Sequence, residues 1–230
     1  LRVVRQVRYS TRNENCLDLV LFLNGIPVAT AELKSEFTQG INEAVDQYRF
    51  ERLPKPKGKA FAEPLLDFPR GALVHFAVTN RTVMMTTKLQ GPATYFLPFN
   101  MGDHGAAGNP PNGKGHRTSY LWEQVWQRDS WLEILARYLV TKKDDKKRIT
   151  GVLFPRYHQL DATRAIVTSC LEPVFAVGIA AFYLHEWITV LQTVGIVIVL
   201  LVGTRVSRMQ PLLVFLNAVA MGLFAVTGVA

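Results

Sequence analysis

"LDLVLFLNGIPVATAELK", residues 17–34, decides how this chain is read. Two apolar runs flank Asn24-Gly25, a dipeptide that accepts the positive φ angles of a tight hairpin turn, so strands are expected over residues 16–23 and 26–34. Charge interrupts this stretch at Asp18 in the first arm and at Glu32 and Lys34 in the second. Side chains two apart on a strand share a face, so Glu32 and Lys34 point the same way.

Whether Asp18 joins them depends on register. A plain two-residue turn pairs Leu23 with Ile26 and Asp18 with Ala31, which leaves Glu32 on the other face. Convergence requires a three-residue loop or a β-bulge, either of which shifts the count by one. That irregularity is expected here. The alternative is that Asp18 and the Glu32-Lys34 pair are unrelated edge charges. Two carboxylates and an ammonium gathered at neighbouring strand ends suit Mg²⁺, a hard cation that takes carboxylate and water oxygens and leaves room for a phosphate. Such a site has the parts for phosphodiester hydrolysis.

Outward from the hairpin, residues 1–9, 72–79 and 82–89 read as further strands. "TQGINEAVDQYRFERL" places Ile41, Ala44, Val45 and Tyr48 on one face of a helix. "LPKPKGKAFAEP" is a basic loop, and residues 99–117 form a long Gly/Pro/Asn segment of the kind that is functional or mobile. Helices are expected over residues 118–127 and 129–140, the second capped by Asp129 or Ser130. "TKKDDKKR", residues 141–148, reads as a solvated linker. Strands and helices together make an α/β chain.

Charge divides the 230 residues unevenly. Of 26 Lys and Arg only Arg205 and Arg208 lie beyond residue 165, and of 18 Asp and Glu only Glu172 and Glu186 do, so the first part carries the whole net charge of +8. A basic part favours a polyanionic partner. Cys16 and Cys170 have neither metal nor disulfide spacing, which suits a reducing cytosol. Residues 166–184, 188–204 and 211–230 are apolar and near the roughly 20 residues that span a bilayer as helix. Two or three membrane helices are therefore expected, with Arg205 and Arg208 in a cytoplasmic loop.

"VVRQVRYSTRNENCLDLVLFLNGIPVATAELK", "QYRFER", "LVHFAVTNRTVMMTTKLQGPATYFLPFNMG" and "TSYLWEQVWQRDSWLEILARYLV" together resemble the N-terminal part of the restriction (R) subunit of type I restriction-modification enzymes, over about residues 1–164. The resemblance implies a PD-(D/E)xK restriction-endonuclease-like fold, a mixed sheet flanked by helices, that cuts double-stranded DNA with Mg²⁺ beside modification and specificity subunits. It matches Asp18 and Glu32 to the metal-binding carboxylates, Lys34 to the catalytic lysine and Gln47 to the glutamine of a Gln-x-x-x-Tyr element. Here Glu51 stands where that tyrosine belongs and Tyr48 is next door, so Tyr48 is either its substitute or apolar-face packing.

In that family an ATP-driven translocase follows. "RYHQLDATR" is similar to its adenine-sensing motif and points to Gln159, whereas "GNPPNGKG", residues 108–115, has Gly115 where a phosphate loop needs Ser or Thr. ATP therefore belongs to the related family and has no site expected here. "LEPVFAVGIAAFYLHEWITVLQTVGIVIVLLVG" resembles the last helices of EamA-type drug/metabolite transporters. The expected organisation is a nuclease region over 1–150, truncated upstream, the threshold of a motor over 151–165, and a membrane-helical part over 166–230. The nuclease part is expected in the cytoplasm, the tail in the membrane. Two other functions compete: a small membrane protein whose soluble part is a passenger, and a DNA-binding remnant that does not cut.

Overall fold

The structure is a computed structural model and describes residues 1–35, 40–56, 58–162, 189–190 and 193–197. The chain divides into two units, Leu1–His158 and Gln159–Ala230. In the second, the described residues are mostly helical. The three apolar stretches and the EamA-like segment lie almost wholly outside the described residues. Among the described residues no helix is long and apolar enough to cross a membrane.

In the first unit a six-stranded sheet runs in sequence order: β1 (Arg2–Arg8), β2 (Cys16–Leu23), β3 (Ile26–Leu33), β4 (Val74–Val78), β5 (Val83–Thr86) and β6 (Leu97–Pro98). Neighbours are antiparallel except β3 and β4, which are parallel and therefore need a crossover. Helix α1 (Ile41–Asp46), continued by a wider π-helical turn over Gln47–Glu51, lies in that connection. This mixed sheet with helices fits the nuclease-like architecture that the resemblance implies.

Each face of the sheet has its own core. Ala44, Val45 and Tyr48 of the helical crossover cluster with Val20 of β2 and Ala77 of β4, as the apolar period of the sequence requires. On β4 the neighbouring residue Phe76 turns to the opposite face, where its ring packs against Phe99, Trp126 and Phe154. Burying such aromatic side chains contributes on the order of 3 kcal/mol each.

Several local expectations change. The second C-terminal helix begins at α2 (Arg128–Glu133) with Gln127 as its cap residue, and neither Asp129 nor Ser130 caps it. Residues 141–148 are exposed apart from the half-buried Asp144, as expected of a linker, yet they belong to a hairpin of β7 (Val140–Lys143) and β8 (Ile149–Leu153). The blocks of like charge in that run hid a strand pair that is largely solvated. The Gly/Pro/Asn segment is stitched by Asn109, which is 2% exposed and whose side chain accepts from the Met101 N–H and donates to the Arg81 and Asn100 oxygens.

Candidate active site

The hairpin positions the charged residues through one extra residue. Leu23 pairs with Ile26 across Asn24 and Gly25, whose φ angles of 50° and 83° are those of a type I′ turn. Phe22 then pairs with Pro27, but Leu21 pairs with Ala29, so Val28 is a β-bulge. The count beyond it moves by one and brings Asp18 level with Glu32. Paired residues end at Leu19 and Ala31, and the Asp18 carboxylate takes over, its Oδ2 accepting from the Leu33 N–H at 2.8 Å.

Glu32 is fully buried. Its Oε1 accepts from Arg52 Nε at 2.8 Å, while its Oε2 is buried without a hydrogen-bond partner. Burial pushes the Glu32 carboxyl up to about 8; Arg52 opposes that rise, and the Asp18 carboxyl, within hydrogen-bonding reach, adds to it. Two ionised carboxylates have no proton to share, so each is an acceptor facing an acceptor. A proton or a cation between them resolves the conflict.

The parallel ladder with β4 carries one residue past β3, where the Lys34 N–H donates to the Val78 carbonyl at 2.9 Å. Strand alternation therefore places Lys34 on the face of Glu32. Gln47 opens the π-helical turn of the crossover, and its Oε1 is buried without a partner. The Arg52 N–H donates to the Gln47 carbonyl and closes the turn, so one short segment supplies both the Gln47 amide and the cation on Glu32. π-helical turns of this kind recur at functional sites.

Tyr48 takes the packing role. It is fully buried, and its hydroxyl shares a hydrogen bond of 2.8 Å with Thr30 Oγ1, which in turn bonds His75 Nδ1 at 2.7 Å. Burial lowers His75 to about 3, so the imidazole is neutral in this network. Thr30 lies two residues before Glu32, and the network braces that part of β3. Gln159 belongs to the second unit, where its side chain is exposed.

Two residues at the site carry no signal in the sequence. Gln6 of β1 stands opposite Asp18 in the ladder and donates from Nε2 to Asp18 Oδ1 at 3.2 Å. Arg52 reads as one more cation at the end of a helix, and only the crossover's approach to β3 reveals its partner.

The residues fit a divalent cation: two adjoining carboxylates, one with a buried oxygen lacking any donor. Among the described residues no group of three or more His, Cys, Asp or Glu gathers. Two carboxylates nevertheless suffice for Mg²⁺, which keeps several waters and shares its shell with phosphate.

No curated protein and no solved structure matches the chain. A family match covers the first part of the chain and ends at residue 94, before residues 95–164 and the apolar tail. Residues 1–94, which hold Asp18, Glu32, Lys34, Gln47 and Arg52, match the model of the type I restriction enzyme R protein N terminus.

Proposed function

We propose that the first unit is the Mg²⁺-dependent endonuclease region of a type I restriction R subunit, hydrolysing phosphodiester bonds of double-stranded DNA in company with modification and specificity subunits. The observation that carries this reading is Glu32 Oε2, a buried oxygen beside the Asp18 carboxylate with no donor to satisfy it.

Asp18 and Glu32 would hold the metal ion. Mg²⁺, when bound, polarises a phosphoryl oxygen and makes water a better nucleophile at neutral pH. Lys34, on the Glu32 face, orients the attacking water and offsets charge that builds on the phosphate in the transition state. Gln47 presents an unpartnered amide oxygen that accepts a hydrogen bond from that water. The net positive charge of the first part draws the duplex to the site.

The test is nicking of supercoiled plasmid by the full chain in Mg²⁺ and in EDTA, with Asp18→Asn and Lys34→Ala beside the wild type. Cleavage that EDTA abolishes and that either substitution lowers by ~10²-fold or more supports the reading. Equal cleavage by all three proteins, or persistence in EDTA, overturns it.

A further inference from the structure

We propose that Gln6 is a positioning residue for Asp18, held on a strained backbone so that its amide fixes the carboxylate in the orientation the metal ion needs. This inference rests on the proposed function. Residue 6 has φ +51°, in the left-handed region that a non-glycine residue inside a strand rarely enters. The excursion falls at one level of the sheet. Arg5 pairs with Leu19 and Val7 with Leu17, so Gln6 is the residue opposite Asp18, and there the regular pairing lapses.

Both ends of the Gln6 amide are used. Nε2 donates to Asp18 Oδ1 at 3.2 Å, and Oε1 accepts from Cys16 Sγ at 3.1 Å. The Cys16 contact fixes which end faces the carboxylate. With the Leu33 N–H on Oδ2 and Arg52 on Glu32 Oε1, three of the four carboxylate oxygens carry a donor, and Glu32 Oε2 is left open. Donors behind a metal-binding carboxylate set its direction, and their loss costs ~10- to 100-fold in metal affinity. Local strain is kept where a function needs the geometry it enforces.

Gln6→Gly separates this role from a structural one, because glycine accepts the left-handed conformation while removing the amide. Mn²⁺ alone is the probe: its binding to the full chain is followed by the loss of the free-ion electron paramagnetic resonance signal, with thermal unfolding of the metal-free proteins recorded alongside. The expected result is Mn²⁺ affinity lower by ~10- to 100-fold in Gln6→Gly, with an unfolding midpoint equal to or above that of the wild type. Unchanged affinity overturns the inference, and so does a joint fall of affinity and midpoint, which assigns Gln6 to structure alone. Asp18→Asn keeps the two levels apart. If it abolishes binding while Gln6→Gly binds as the wild type does, only the positioning role fails; if it binds as the wild type does, the metal reading fails and takes the positioning role with it.

Discussion

At the scale of the residue, the Glu32–Arg52 pair concentrates the energetics of the site. Both side chains are withdrawn from solvent, at 0% and 9% exposure, and each is the other's compensation. Above pH 8, where Glu32 is ionised, Arg52→Met leaves a buried carboxylate without its cation and is expected to cost about 3–5 kcal/mol in urea unfolding. Adding Glu32→Gln to that variant removes the stranded charge and should restore most of the loss, a coupling that a double-mutant cycle measures directly.

The same residue and His75 set a pH signature. Glu32 is raised from 4.5 to about 8, so its contribution to stability is present below 4.5 and is lost as pH rises through 8. His75 is lowered from 6.5 to about 3, so its contribution is present above 6.5 and is lost as pH falls toward 3. Over the shared window the two slopes oppose each other, and urea midpoints of the wild type are expected to change little there. Glu32→Gln should expose a fall in stability on acidification below pH 6.5. His75→Asn should expose the opposite slope, stability rising as pH falls from 8 toward 4.5.

At the scale of the element, the β2–β3 hairpin makes two separate decisions. Its turn needs positive φ at Asn24 and Gly25, and its bulge at Val28 chooses the face on which Glu32 emerges. Gly25→Ala strains the first without touching the second, since a Cβ there meets no atom within 4 Å and the cost is conformational. Denaturant unfolding is expected to show a loss of about 1–2 kcal/mol, with Mn²⁺ affinity unchanged. A parallel fall in Mn²⁺ affinity would show that the turn itself sets the register. The crossover makes a third decision: its π-helical turn brings Gln47 and Arg52 to the sheet within one short segment, while Tyr48 between them is spent on the Thr30–His75 network.

At the scale of the whole molecule, charge and packing are divided. All of the net positive charge belongs to the first 165 residues. Affinity of the full chain for a duplex of arbitrary sequence, followed by fluorescence anisotropy, is therefore expected to fall about tenfold or more between about 50 and about 200 mM salt. A flat salt response would argue against phosphate contacts. The sheet is the divider of packing, with the helical crossover and Tyr48 on one face and the Phe76, Phe99 and Phe154 cluster on the other.

What the sequence determined alone was local: the Asn24-Gly25 turn, the strands around it, the apolar face of α1, and three charged groups whose convergence required a bulge. Each rests on backbone preference or on a period of two or 3.6 residues, which short stretches carry by themselves. The hairpin β7–β8 escaped because its strands bury little beyond Val152, so no alternation marks them. The place of the bulge at Val28, the donors from Gln6 and Arg52, and the orphaned oxygen of Glu32 were decided by tertiary structure. They depend on which strands and which crossover meet, and contacts between residues far apart in the chain leave no spacing in it to read.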